Sequence, residues 1–168
     1  TIIHGNFYQP GRVAPWSNVV LNQETASPYA NWTQRVCAEC YAPNSFSRIL
    51  GNNGKILNIL NNFEYISYDV GPELLIWLSK NRPDVYNRII EADKKSVLTH
   101  NGHGNAIAQV YSHLIMSLAT FEDKKTQIIW AMKDFEHRFG RKTEGMWLAE
   151  CAIDYQTIDL LIEQGIKF

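Results

Sequence analysis

The sequence predicts an α/β fold built on a parallel sheet, on three observations. Short β-branched and aromatic runs alternate with stretches of helical period, the order that parallel strands joined by right-handed crossovers require. Gly and Pro clusters fall between the runs rather than inside them. Hydrophobic residues make up 45% of 168 and aromatics 12%, enough for a sizeable core with ring faces left over for a ligand.

Residues 2–4 form the first β-branched run, stopping at Gly5, and Pro10, Gly11, Pro15, Ser17 and Pro28 mark the next stretch as a long loop. Residues 33–50 are helix-compatible in part, and the Asn- and Gly-rich stretch 44–54 is a break before Lys55-Ile-Leu-Asn-Ile-Leu60. Residues 65–68 are the second strand. Gly71 and Pro72 open a helix, because Pro is tolerated in a first turn where its missing N–H is not needed, and Leu74, Leu75 and Leu78 share one face. A further helix after Pro83 uses Val85, Ile89 and Ala92.

Residues 96–99 are the third strand, ending in the glycine-rich segment 100–105, and 106–119 read as an apolar helix. The clearest amphipathic helix covers 123–138, where Ile128, Met132, Phe135 and Phe139 recur at steps of four, three and four. Residues 144–148 are the fourth strand. Asp154 is the N-cap of a helix through Ile158, Leu161 and Ile162, Gly165 is its stop, and 166–168 begin a fifth strand. A barrel of this type takes about 250 residues, so residues 1–168 are expected to be the N-terminal portion of a larger catalytic domain, truncated at the start of that strand.

Charge excludes some functions. Sixteen basic against 17 acidic residues leave no surplus for a phosphate backbone, so nucleic acid is not the expected partner. No apolar run approaches the roughly 20 residues of a membrane span, and the first residues do not resemble a secretory leader, although one removed earlier leaves no trace. Cys37, Cys40 and Cys151 are odd in number and form no disulfide framework, which points to a reducing, cytoplasmic location. The Cys37–Cys40 spacing is that of a zinc half-site, but no second pair completes it, so packing is the expectation and no metal or cofactor is implied.

Ligands of parallel α/β folds bind at the carboxyl ends of the strands. That rule collects His4 and Gln9 after the first strand, Asp69 after the second, His100 and His103 after the third, and Trp147 and Glu150 at the end of the fourth. Glu144 falls at the opposite end as a surface residue. Any one His is more often a structural hydrogen-bonding group; the coincidence of four segments carries the argument. Trp16 and Trp32 lie where rings can stack on a ligand, whereas Trp77 and Trp130 lie within helices and are expected in the core.

Three stretches, His4-Gly-Asn-Phe-Tyr-Gln-Pro10, Asn101-Gly-His-Gly-Asn-Ala106 and Glu144-Gly-Met-Trp-Leu-Ala-Glu150, together resemble the N-terminal part of glycoside hydrolase family 57. That family includes α-amylases, 4-α-glucanotransferases and glucan branching enzymes, and the resemblance runs along nearly the whole chain. It implies an incomplete (β/α)7 barrel, TIM-like, and a retaining hydrolase or glucanotransferase acting on α-glucan. It makes Glu150 the nucleophile, His4 a sugar-contacting residue, and His100 the second-motif His, with His103 as the alternative. Gln9, Trp16 and Trp147 join the substrate-binding set.

The family's acid/base Asp belongs to a later motif, outside residues 1–168. A retaining enzyme needs two carboxyl groups about 5–5.5 Å apart, and Asp69 is the sole other carboxylate placed on the correct face. The chain alone is therefore expected to be inactive, its partners being a carbohydrate and the rest of the catalytic domain. Two alternatives stay open. One is a metal-dependent polysaccharide hydrolase or deacetylase using Asp69, His100 and His103, against which stands the lack of two adjacent aspartates near the first strand. The other is a sugar-binding module without turnover.

Overall fold

Four short strands, apolar on one side and polar on the other, form the central sheet in a computed structural model that describes residues 1–14, 16–17 and 19–168. Pro15, expected in the first loop, lies outside the described residues. In chain order the elements are β1 (His4–Phe7), α1 (Trp32–Val36), a π-turn into α2 (Ala42–Ser45), a hairpin of β2 (Ser47–Leu50) and β3 (Ile56–Leu60), then β4 (Ser67–Val70). They continue with α3 (Pro72–Asn81), α4 (Pro83–Thr99), β5 (Ala106–Gln109), α5 (Phe121–Phe139), β6 (Met146–Trp147) and α6 (Tyr155–Glu163).

The main sheet runs β1-β4-β5-β6, and every pairing is parallel. Its order never reverses, as in the wall of a barrel and unlike a doubly wound sheet. After α6 the chain returns beside β6: Lys167 N donates to Glu144 O at 2.8 Å and Met146 N to Phe168 O at 3.0 Å. The predicted fifth strand thus has its neighbour, although it is too short to be assigned as one.

Alternation sorts the two faces. Tyr68, Val70, Ala106, Ala108, Val110 and Met146 are buried with Leu74, Leu75 and Leu78 of α3, Val85 and Ile89 of α4, and Ile128 and Phe135 of α5. Burying a side chain of this size contributes about 1.5–3 kcal/mol. A one-residue slip of β4 would exchange Tyr68 for Asp69 beneath the helices, so the register is strongly specified. The opposite face carries His4, Asn6, Asp69, Gln109 and Trp147, and it is concave. The Gln109 amide donates to Asn6 Oδ1 at 3.2 Å across β4, and the His4 ring stacks on Trp147 at 5.2 Å although two strands intervene. In a flat sheet those strands would stand about 14 Å apart.

The helices after Gly71, after Pro83 and over 123–138 form as predicted, the helix read at 106–119 does not, and three strand expectations are corrected. The first strand starts at His4 and passes through Gly5, which is not a stop: a Cβ there would lie 2.6 Å from the Phe7 ring. The second strand is displaced to 67–70 by a 3-10 turn at Asn62–Glu64. Residues 96–99 are the last turn of α4, because Ser96 continues the buried face of Val85, Ile89 and Ala92. The third strand is instead Ala106–Gln109, within the stretch read as helix. It is tied to α4 by polar groups: Asp93 Oδ1 accepts from Ala106 N at 2.8 Å, and Ser96 Oγ accepts from Asn105 N at 2.9 Å. Arg141 grips both Asp93 oxygens at 2.8 Å and donates to Ala106 O at 2.7 Å.

Smaller differences arise from exposure. The hairpin β2–β3 is unanticipated, and its Ile49, Ile56, Leu57 and Ile59 are exposed. Asp154 caps α6 by accepting from Thr157 N, as predicted, but the buried face is Thr157 and Leu160, with Ile162 exposed. Trp77 packs against the core; Trp130 does not, being 53% exposed with its ring edge-on to Tyr111. Among the described residues no helix is long and apolar enough to cross a membrane.

Candidate active site

The carboxyl ends of β1, β5 and β6 and the loops beyond them enclose a cavity of about 380 Å³ lined by Asn6, Tyr8, His113, Trp147, Glu150 and Cys151. Its carboxylate stands on a tight turn. After β6 the chain enters a 3-10 turn, Ala149–Cys151, in which Glu150 takes φ 57° and Cys151 φ 54°. His113, across the cavity, has φ 52°. Left-handed backbone at a non-glycine residue costs on the order of 1–3 kcal/mol and persists only where the surroundings impose it. Among the described residues, three of the four such positions line this cavity; the fourth is Asn101.

The turn is anchored on both sides. Ala149 is fully buried. Past the turn, the buried ammonium of Lys124 on α5 holds Asp154 and donates to Gln156 Oε1 at 3.0 Å, pinning the start of α6. On the other side of the cavity Tyr8 stacks flat on His113, with ring centroids 3.5 Å apart and planes 7° apart. His113 Nε2 is 3.4 Å from Glu150 Oε1, and the Glu150 side chain stays 67% exposed.

Beneath the cavity lies a buried polar network. Asp69 is fully buried; its Oδ1 accepts from His4 Nε2 at 2.9 Å and its Oδ2 from Gln109 Nε2 at 2.6 Å. Burial pushes the Asp69 carboxyl up to about 6, against the opposing pull of His4 and Gln109. The other ring nitrogen of His4 takes the Ser67 hydroxyl at 3.0 Å. Three buried polar atoms have no partner among the described residues here: Trp147 Nε1, His113 Nδ1 and Gln109 Oε1. Such atoms are uncommon in native proteins and mark places where a ligand or water belongs.

Only part of the predicted set gathers at this cavity. Glu150 and Trp147 line it, and His4 lies against Trp147 with both nitrogens engaged inside the protein. Gln9 turns into a neighbouring hollow between the first loop and α3, where it accepts from Arg12 Nη2 at 2.9 Å. Trp16 is 98% exposed and Trp32 donates to Thr25 Oγ1; neither lines the cavity. His100 and His103 are corrected: they precede β5 rather than come after a strand, so they lie at its amino end. His100 caps α4, and His103 Nδ1 is 2.7 Å from Glu144 Oε2.

Asp69, His100 and His103 are therefore not brought together, and among the described residues no cluster of three His, Cys, Asp or Glu could hold a metal ion. Burial raises the Cys37 thiol to about 11 and Cys40 less far, in keeping with packing. Sequence reasoning missed Asn6, Tyr8, Gln109 and, above all, His113. The signal was the short run Ala106–Gln109 itself: once it is a strand, His113 falls in the loop at its carboxyl end.

The comparisons with known proteins bear on the family and the fold. The family model described as glycosyl hydrolase family 57 matches residues 29–168. Alpha-amylase 1 of Dictyoglomus thermophilum is 27% identical over 95 residues, covering 56% of this chain and 13% of that protein. Among solved structures, an exo-type maltose-forming amylase from a Pyrococcus species superposes with TM-score 0.64 at 16% identity, over 99% of this chain and 28% of that one. The 4-alpha-glucanotransferase of Thermococcus litoralis gives 0.57 at 18%, over 98% and 21%. A family 57 branching enzyme from Thermococcus kodakaraensis gives 0.58 at 17%, over 98% and 38%. At these identities the structures show a shared fold, of which this chain spans a part.

Proposed function

We propose, on the premise that this chain belongs to glycosyl hydrolase family 57, that it carries the nucleophile side of a retaining glycosidase or glucanotransferase acting on α-glucan. The observation that carries the reading is Glu150: an open carboxylate in left-handed backbone, beside His113, at the lip of a cavity walled by Tyr8 and Trp147.

In this reading a Glu150 oxygen attacks the anomeric carbon, and the bond from that carbon to the departing oxygen breaks as the oxygen takes a proton from a second carboxylic acid. The glycosyl ester is then opened by water or by a sugar hydroxyl, giving hydrolysis or transfer. His113 orients the attacking carboxylate. With Nε2–H directed at Glu150, the His113 Nδ1 is an acceptor, and it lies buried without a partner, as does the Trp147 Nε1–H donor.

Asp69 does not serve as the acid, since it is sealed from the cavity with both oxygens occupied. We assign the acid/base to a segment outside residues 1–168, in keeping with the 21–38% share of the solved relatives that this chain covers. The free thiols Cys37, Cys40 and Cys151 support a reducing compartment, the cytoplasm.

The test is Glu150→Gln in the full-length protein, assayed on maltoheptaose, together with mass mapping of wild type treated with a 5-fluoroglucosyl fluoride trap. The expected result is a loss of roughly 10³-fold or more in turnover and a glycosylated peptide containing Glu150. Full turnover by the variant would sink the mechanism.

A further inference from the structure

The polar network under the cavity is more elaborate than attack by Glu150 requires. Burying a carboxylate is unfavourable unless its oxygens are satisfied, and every bond that satisfies Asp69 also fixes something else. The Gln109 amide that donates to Asp69 Oδ2 also reaches Asn6 Oδ1 at 3.2 Å. The His4 ring that donates to Asp69 Oδ1 is held at its far nitrogen by the Ser67 hydroxyl. With both nitrogens committed, His4 has only its ring faces left to offer. It stacks on Trp147, with ring planes 18° apart. Because β1 and β6 are the two edges of the four-stranded sheet, that stack ties one edge to the other across the concave face.

We infer that Asp69 and His4 form a positioning pair that acts on substrate only through Trp147. Asp69 and Ser67 set the plane of the imidazole, the imidazole sets the plane of the indole, and the indole meets the sugar. His4 is then not the sugar-contacting residue that the family resemblance makes it. A platform held within a narrow range of angles is worth more to a reacting ring than one free to swing. The substrate side of this inference rests on the glycosyl reading of the cavity; the structural side does not, and the test separates the two.

The full-length protein is labelled with 5-fluorotryptophan, and the Trp147 resonance is assigned by its disappearance in Trp147→Phe. Without sugar, the Trp147 line is expected to shift or broaden in Asp69→Asn and in His4→Phe while the other tryptophan lines stay in place. His4→Phe keeps an aromatic face over Trp147 but drops both hydrogen bonds, so it decides the matter should Asp69→Asn fold poorly. A Trp147 line unmoved in His4→Phe overturns the positioning pair.

Maltoheptaose affinity is then measured in a Glu150→Gln background. His4→Ala is expected to weaken binding about tenfold, the scale of one aromatic contact. In a Trp147→Ala background the same change should add less than about twofold, because coupled residues are not additive. A full tenfold loss persisting without Trp147 means that His4 touches the sugar and overturns the inference. Failure of the parent to bind maltoheptaose overturns the α-glucan reading instead, and the fluorine resonance still decides the positioning pair.

Discussion

Two histidine–glutamate pairs stand at opposite ends of one sheet, and they differ in almost every physical respect. At the amino end His103 and Glu144 are 2.7 Å apart, Lys167 closes on the other Glu144 oxygen at 2.6 Å, and neither His103 nor Glu144 has a positive φ. At the carboxyl end His113 and Glu150 are 3.4 Å apart, both in left-handed backbone, and His113 Nδ1 has no partner among the described residues. In the first pair both Glu144 oxygens are taken by protein side chains, His103 on one and Lys167 on the other. The second is incomplete and strained, and these are the two features on which the proposed role of Glu150 rests.

The sharpest way to break this comparison is to neutralise each glutamate in turn. Glu150→Gln should lower α-glucan turnover of the full-length protein by on the order of 10³-fold or more, whereas Glu144→Gln should leave it within about twofold. Steady-state rates on maltoheptaose decide it, and comparable losses in both variants would mean that the two ends are not functionally distinct. Next in size is a stability effect confined to the amino end. Asp93 is buried, grips Arg141 at two points and caps the start of β5. Asp93→Ala leaves Arg141 without its carboxylate partner and Ala106 N unpaired, and should cost about 3–5 kcal/mol, read as a lower midpoint in urea. Loss of turnover without loss of stability would contradict the structural role.

The histidines sharpen the same contrast at smaller amplitude. His113→Ala should reduce turnover by about 10²-fold, the scale of one preorganised hydrogen-bonding group at a reacting centre. His103→Ala should not change it, since His103 lies at the far end of β5. Smaller again is the strain itself. Cys151 has φ 54°, which glycine adopts without penalty, so Cys151→Gly should raise stability by about 1 kcal/mol. A destabilised Cys151→Gly would show that the turn is not strained at that residue.

Element length decides how legible the two ends are in the sequence. α5 is readable because a four-three-four recurrence within its 19 residues identifies one face, and because Gly140, left-handed at φ 71°, ends it. The position of Glu150 is readable because it lies three residues past Trp147, so even a two-residue strand puts it at the carboxyl end of the sheet. β5 is not: four residues with two alanines carry no decisive alternation, and Ser96 to Thr99 is the more strand-like run until Asp93 and Ser96 are found capping the real strand. That one displacement puts His100 and His103 at the wrong end of the sheet and hides His113. The His4–Asp69 pair is half visible, since both residues fall on the site face, but the concavity that brings His4 onto Trp147 belongs to the sheet as a whole.

The smallest expected effect is on the pH dependence of stability, where Glu144 and Asp69 carry opposite signs. Glu144 is drawn down from 4.5 to about 2, first by the hydrogen bond from Lys167 and then by that from His103. Between about 2 and 4.5 the unfolded chain therefore binds more protons than the folded one at this residue, and stability rises with pH. Lys124 draws Asp154 down in the same way, which adds to the rising arm. Asp69 is pushed up from 3.8 to about 6, so between those values the folded state holds the extra proton and stability falls as pH rises. Urea unfolding of the full-length protein at stepped pH should show Glu144→Gln flattening the rising arm and Asp69→Asn flattening the falling one. Because Glu144 is a surface pair, worth about 0–1 kcal/mol, its arm is the shallower. A steeper fall after Asp69→Asn would mean that the Asp69 carboxyl is lowered rather than raised in the folded protein.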